Sequence, residues 1–398
     1  MNTDKMVYMD HAATTPARTE VIEAMVPYLK ERYGNPSSLY AIASEAKQAM
    51  ENARAEVAHV INSSAGEIYF TSGGTESDNW AIIGSAYANR KKGTHLITSG
   101  IEHHAVTHTF HYLHDKGFKL TYIPVDNEGI IKLDAIEDAI TPETTLVSVM
   151  AANNEIGTIQ PVKEIGAICR EKEIIFHTDA VQAVTHIPLD VEDMNVDLLS
   201  LSAHKFYGPK GIGALYIRKK TRIDSFHHGG GQETRKRAGT ENVAGIVGMG
   251  KAITISHEKM PLEIPKEIKL RDYLIREIKQ NISHTRLNGH PQKRLPGNVN
   301  MSIDFIEGES LVLLLDHKGI AASTGSACSS GTLEPSHVLL AIGLPHETAH
   351  GSVRFTLGEE TTMDDIRYVV EVLPGLVERL RIMSPVYSDF CKRSEKNV

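Results

Sequence analysis

Ser200-Leu201-Ser202-Ala203-His204-Lys205-Phe206-Tyr207-Gly208-Pro209-Lys210-Gly211 joins a short apolar run to a Gly/Pro turn. A lysine directly after a predicted buried strand is costly to bury as a charge. Desolvation lowers a lysine pKa, and the neutral amine is a nucleophile that forms Schiff bases with carbonyl compounds. The same pattern fits a surface lysine in a β-turn, so the surroundings must decide. GPKGIG lacks the Gly-Lys-Ser/Thr ending of a phosphate loop and is set aside.

Working outward, short apolar runs at 68–71, 95–98, 119–123, 146–150, 174–177, 198–202 and 214–217 read as strands. Helical patterns lie between them at 37–60, 75–90, 105–116, 133–140 and 162–171. Strands alternating with helices of this length imply βαβ units and an α/β fold, its mostly parallel sheet covered on both faces. Ligands bind beyond the carboxyl ends of such strands, so the residues just after each strand carry the chemistry. After about Lys251 the texture changes to a charged helix at 265–282 and a strand at 352–357, which predicts a smaller α+β C-terminal domain.

The chain has 398 residues, with 42 Lys plus Arg against 50 Asp plus Glu and a formal charge of −8. This mildly acidic balance, without a basic block, argues against nucleic acid as a partner. Cys169, Cys328 and Cys391 are too sparse for a disulfide scaffold, so a reducing, cytoplasmic setting is expected. The N-terminus has no signal-peptide core, and no apolar stretch of about 18 residues predicts a membrane span. The run from 311 to 315 reads as buried core, and 388–398 as a polar tail that frays.

Other strand ends add polar groups. Thr178-Asp179-Ala180-Val181-Gln182 puts a carboxylate where it could hold a proton on a pyridine nitrogen, with Gln182 near a phenolic oxygen; capping of a helix by Asp179 is the plain alternative. Phe70-Thr71-Ser72-Gly73-Gly74-Thr75-Glu76-Ser77 joins a strand to a helix whose N-terminus suits an anion, or is a simple Gly-rich turn. Ser99-Gly100-Ile101-Glu102-His103-His104 and Ala152-Asn153-Asn154-Glu155-Ile156-Gly157 end two more strands. His103, His104, His108, His111 and His114 could instead suggest a metal site on one helix, although no carboxylate or cysteine completes the pattern.

Taken together with the opening Tyr8-Met9-Asp10-His11-Ala12-Ala13-Thr14-Thr15, these motifs resemble fold-type-I pyridoxal-phosphate enzymes. More narrowly, the chain is similar to cysteine desulfurases of the NifS/IscS type within the class-V aminotransferases, from about Val7 to beyond Pro385. The resemblance implies a large cofactor-binding domain at 15–255 and a small domain formed by 1–14 and 256–398. It implies that Lys205 carries the cofactor as a Schiff base and moves the substrate α-proton. Asp179 would pair with the ring nitrogen, Gln182 with the phenolic oxygen, and Gly74, Thr75, Ser202 and His204 with the phosphate. His103 would stack on the ring and act in acid–base steps, and Asn154 would contact cofactor or substrate. The segment 229–240 matches one that reaches the phosphate of a second subunit, making Thr240 a ligand across a homodimer interface.

Small residues flank Cys328 in Ser326-Ala327-Cys328-Ser329-Ser330-Gly331, as suits an exposed thiolate loop. The resemblance makes it the persulfide-forming nucleophile, whereas Cys169 reads as core. His350-Gly351-Ser352-Val353-Arg354-Phe355 matches the motif whose Arg binds the substrate carboxylate. The implied reaction takes L-cysteine to L-alanine and passes sulfur to an iron–sulfur scaffold protein. No resident metal is implied, only transient contact of Cys328 with an iron–sulfur cluster. A selenocysteine lyase or another pyridoxal-phosphate transferase on the same fold is the alternative.

Overall fold

The computed structural model describes residues 6–325 and 335–395. In chain order its strands are β1 (Val7–Tyr8), β2 (Ile68–Thr71), β3 (His95–Ser99), β4 (Lys119–Ile123), β5 (Thr144–Ser148), β6 (Ile175–Asp179), β7 (Leu198–Ser202), β8 (Gly213–Ile217), β9 (Thr285–Leu287), β10 (Asn298–Ile303), β11 (Ile320–Ala321) and β12 (Ser352–Thr356). The seven strands expected from the apolar runs form one sheet in the order β2-β8-β7-β6-β5-β3-β4. From β7 to β4 the neighbours run parallel, whereas β8 is antiparallel to both β2 and β7. β5, β7 and β8 are buried along their whole length, the environment that selects continuous apolar strands.

Helices cover the sheet. The one following β2 runs from 74 to 89 and widens into a π turn at Trp80–Gly84, where the buried Trp80 indole donates to the Asp224 carbonyl at 2.9 Å. The largest departure from the sequence reading is a single 39-residue helix, Val243–Asn281, that continues through Pro261 and Pro265. Proline suits a first helical turn, which is why 265 reads as a start. Here one helix serves two cores: Ile246, Met249 and Ile253 pack beneath the large sheet, and Leu270, Leu274 and Ile278 pack into a second cluster.

That second cluster sits on the antiparallel sheet β12-β10-β9, next to the parallel pair β1–β11. Two expectations need correction. In helix Gly308–Asp316, Leu311 and Leu315 point inward but Leu313 is 70% exposed, so the run 311–315 is amphipathic rather than wholly core. The expected frayed tail is instead a helix, Pro385–Glu395. Tyr387 and Phe390 hold it against Phe305, with ring centroids 5.4 and 4.8 Å apart. No helix among the described residues is long and apolar enough to cross a membrane.

Candidate active site

The turns after β2, β3, β5, β6 and β7 meet β12 around a cavity of about 300 Å³. The turn after β2 contributes Gly74 and Thr75, and the turn after β3 contributes His103. Asn154 follows β5, and Asp179 and Gln182 close β6. Ser202, His204 and Lys205 close β7, and Arg354 enters from β12. Thr240 is exposed and does not line this cavity. Cys328 lies outside the described residues.

Lys205 sits in a tight turn, Ala203–Lys205, and its Nζ donates to the carbonyl oxygens of Ala12 at 2.5 Å and Ala13 at 2.8 Å. Gln182 Nε2 donates to the same Ala12 oxygen at 2.9 Å. The amine's surroundings are therefore polar, supplied by the N-terminal turn. Asp179 caps the turn after its strand: its Oδ1 accepts the Val181 N–H at 2.9 Å. Burial pushes its carboxyl up to about 6, while the Val181 bond and the Lys205 charge pull it back.

His103 is the N-cap of helix His104–Asp115, its Nδ1 accepting the Ala105 N–H at 3.1 Å. That bond assigns the neutral ring's proton to Nε2. Burial, then the charges of Lys205, His104, His337 and His108, push the ring down to about 4, so it is neutral near pH 7. Burial followed by Lys205 and Lys210 does the same to His204, whose Nδ1 lies 3.2 Å from Thr14 Oγ1.

Glycines crowd the turn that brings Gly74 to the cavity. Gly73 has φ of +153°, and a Cβ on the facing Gly213 would come within 2.7 Å of its Cα, so the strand β8 and the turn need glycine at both positions. A Cβ on Gly74 would meet Val181 Cγ2 at 2.7 Å. Glu76 anchors this turn by accepting the Ser72 N–H at 2.8 Å and the Arg237 Nε–H at 2.8 Å. The segment 229–240 is thereby tied to the turn after β2. It is also held by Glu233, which takes a fork from Arg54 at 2.8 and 2.7 Å in the buried core.

Arg354 is 2% exposed. Its Nη1 donates to the Asn154 carbonyl at 2.8 Å and its Nη2 to Asp10 Oδ1 at 2.8 Å. Asp78, which lies just past a quoted motif, and Glu102 and Glu155, quoted but given no role, also line the cavity. Asp78 is raised well above the ordinary range by burial and by Asp179, and its Oδ1 has no hydrogen-bond partner among the described residues. Glu102 is pushed up to about 8 by burial. Asp78 lies in the first turns of the helix after β2 and Glu102 in the turn after β3; nearness to those strand ends was the available signal, and their burial was not visible. The histidines beyond His103 climb the helix, with His104 and His108 rings 4.9 Å apart. Among the described residues no group of three or more His, Cys, Asp or Glu could hold a metal ion.

The model of a family described as Aminotransferase class-V matches residues 7–369. The chain belongs to the class-V aminotransferase family. It is 58% identical, over 99% of its own length and 100% of the relative's, to a protein named Cysteine desulfurase IscS from Clostridium botulinum. A protein of the same name from Methanosarcina thermophila is 57% identical over 96% of this chain and 95% of that relative. A solved structure of a NifS-like protein superposes with a TM-score of 0.89 at 39% identity, covering 94% of this chain and all of that one.

The family's cofactor is pyridoxal phosphate, and the cavity fits it. An amine at Lys205 suits the aldehyde, and the buried Asp179 carboxylate suits a pyridinium nitrogen. The hydroxyls of Thr75 and Ser202, the His204 ring and the Cβ-free backbone at Gly74 suit a phosphate at a helix start. Gln182, Asn154 and His103 also line the cavity.

Proposed function

We propose that this chain is a pyridoxal-phosphate-dependent cysteine desulfurase that converts L-cysteine to L-alanine and delivers the sulfur for iron–sulfur cluster assembly. The observation that carries the reading is one cavity in which the amine of Lys205, the carboxylate of Asp179 and the guanidinium of Arg354 meet. The names of the relatives at 58% and 57% identity support the same activity.

When bound, the cofactor supplies an electron sink that lets the Cα–H bond of the amino acid break heterolytically. Arg354 binds the substrate carboxylate through two N–H groups and so orients Cα. Lys205 Nζ takes the Cα proton and returns it. Asp179, anionic at neutral pH, would hold a proton on the cofactor's ring nitrogen. Gln182 would donate to the cofactor's phenolic oxygen, and neutral His103 would face its ring, with an Nε2–H to offer. Gly74, Thr75, Ser202 and His204 would hold the phosphate. Thr240, exposed in one chain, completes that site from the second subunit of a homodimer.

Cys328 is the sulfur acceptor in this reading. Its thiolate attacks the substrate sulfur, an S–S bond forms as the Cβ–S bond breaks, and the released electron pair passes to carbon. The persulfide is then handed to a scaffold protein in the cytoplasm. The test is an absorbance spectrum before and after L-cysteine, with alanine and sulfide assayed in the same tube in the presence of dithiothreitol, which reduces the persulfide and releases its outer sulfur as sulfide. Equal alanine and sulfide, both lost in Cys328→Ala while the cofactor band persists, is the expected result. A band that shifts without sulfide overturns the desulfurase reading, and unchanged turnover in Cys328→Ala overturns the role of that residue.

A further inference from the structure

The turn at residues 10–15 touches both groups that the reading above assigns to the two ends of the amino acid. Its Ala12 and Ala13 carbonyls hold Lys205, and its Asp10 carboxylate holds Arg354. The turn is rigidly built. The Asp10 carbonyl accepts the Ala13 N–H at 3.0 Å and the Tyr8 hydroxyl at 3.1 Å. The Tyr8 hydroxyl also reaches the Thr14 carbonyl at 2.8 Å. Around it the chain is bonded to the strand that carries Arg354: the Thr356 N–H donates to the Met9 carbonyl at 2.7 Å, and the Ala12 N–H to Thr356 Oγ1 at 2.9 Å.

Arg354 has five N–H donors to place. Nη1 spends two on neutral backbone carbonyls, Asn154 at 2.8 Å and Gly325 at 3.4 Å. Nη2 gives one to Asp10 Oδ1 at 2.8 Å, and Nε has no hydrogen-bond partner among the described residues. Asp10 is the anion that the structure pairs with this buried guanidinium. A buried cation with neutral partners alone is expensive, and a single carboxylate on one side also fixes the plane of the group.

We propose that Asp10 is a positioning residue for substrate binding. Its carboxylate clamps the Arg354 guanidinium so that Nε–H and the second Nη2–H remain for the α-carboxylate of the incoming amino acid. The proposal rests on Arg354 as the carboxylate-binding group. It makes the N-terminal turn one rigid piece that sets the spacing between amine and carboxylate, and hence favours α-amino acids over plain amines.

The test uses the holoenzyme and two small ligands titrated by cofactor absorbance: L-alanine, and ethylamine, which is alanine without its carboxylate. In Asp10→Asn the dissociation constant of L-alanine should rise about tenfold or more, while that of ethylamine stays within about twofold. KM for L-cysteine should rise with it, kcat changing by less than about threefold. Asp10→Glu, which restores the charge, should recover part of the L-alanine affinity. Should Asp10→Asn fail to fold, Asp10→Glu alone must still weaken L-alanine selectively. Unchanged or tighter L-alanine binding overturns the proposal, because Asp10 would then be idle or a plug in the carboxylate's place. Equal weakening of both ligands also overturns it, since the effect would lie in the fold. Arg354→Ala should erase the preference for L-alanine over ethylamine. If the preference survives there, the assignment of Arg354 itself falls, a result distinguishable from a silent Asp10.

Discussion

Replacing Glu102 by glutamine should make the cofactor-free protein more stable in alkaline solution. Glu102 is fully buried after β3, where it accepts the Ser99 hydroxyl at 2.5 Å and the Met150 N–H at 3.0 and 3.1 Å. Burial lifts its carboxyl from 4.5 to about 8 against the pull of those bonds. A carboxyl raised by folding keeps its proton in the folded chain and loses it near 4.5 in the unfolded one. The stability it confers is complete below about 4.5, drains away as the pH rises, and is gone above about 8. At roughly 1.4 kcal/mol per pH unit, that interval amounts to as much as about 5 kcal/mol. Glutamine has the same shape, can still accept the Met150 N–H, and suffers no such loss. Urea unfolding of both proteins at about pH 5 and about pH 9 should show the variant's relative stability growing by about 2–5 kcal/mol. An advantage that is the same at both pH values would refute a protonated Glu102.

Three further outcomes follow from the site. Because His103 is held near 4, it stays neutral above that value, so the acidic limb of kcat/KM between about pH 5 and 8 should survive in His103→Gln; a limb near 6.5 that vanishes in the variant would contradict this. In Gly74→Ala the new Cβ meets Val181 Cγ2 at 2.7 Å, so cofactor retention in dialysis should weaken by about 1–3 kcal/mol and recover in Gly74→Ala/Val181→Ala; retention equal to the parent in the single variant refutes the contact. Glu233→Gln breaks the buried fork from Arg54, at 10% and 3% side-chain exposure, and should cost about 3–5 kcal/mol in urea unfolding. Most of that should return in Arg54→Met/Glu233→Leu, and a single-variant loss under about 1 kcal/mol would show the pair to be idle.

Much of the large sheet is legible along the chain because each strand is an apolar run of four or five residues flanked by turn chemistry. Its site residues are legible for the same reason: Asp179, Lys205 and His103 stand at or just after strand ends, where an α/β sheet presents side chains to a ligand. The direction of β8 is not legible, since an apolar run looks alike whichever way it lies. Nor is the helix through Pro261 and Pro265, because local propensity stops at each proline while packing on two cores carries the helix across. The helix at Pro385–Glu395 is missed for a related reason. Its polar composition reads as tail, and only Phe305, some 80 residues earlier, supplies the surface that Tyr387 and Phe390 need.

By itself, then, the sequence determines the strand and helix alternation, the chemistry at the strand ends and the family. These rest on local periodicity and on motifs whose residues are close in the chain. Only the tertiary structure decides which of these groups face one another and how they are charged. Asp10 and Arg354 are 344 residues apart, yet share a 2.8 Å contact. Glu102 reads as an ordinary turn carboxylate, and Asp78 as one position of a helix, until burial beside Asp179 raises them. Pairing and desolvation depend on distances through space, and a one-dimensional pattern carries no such distances.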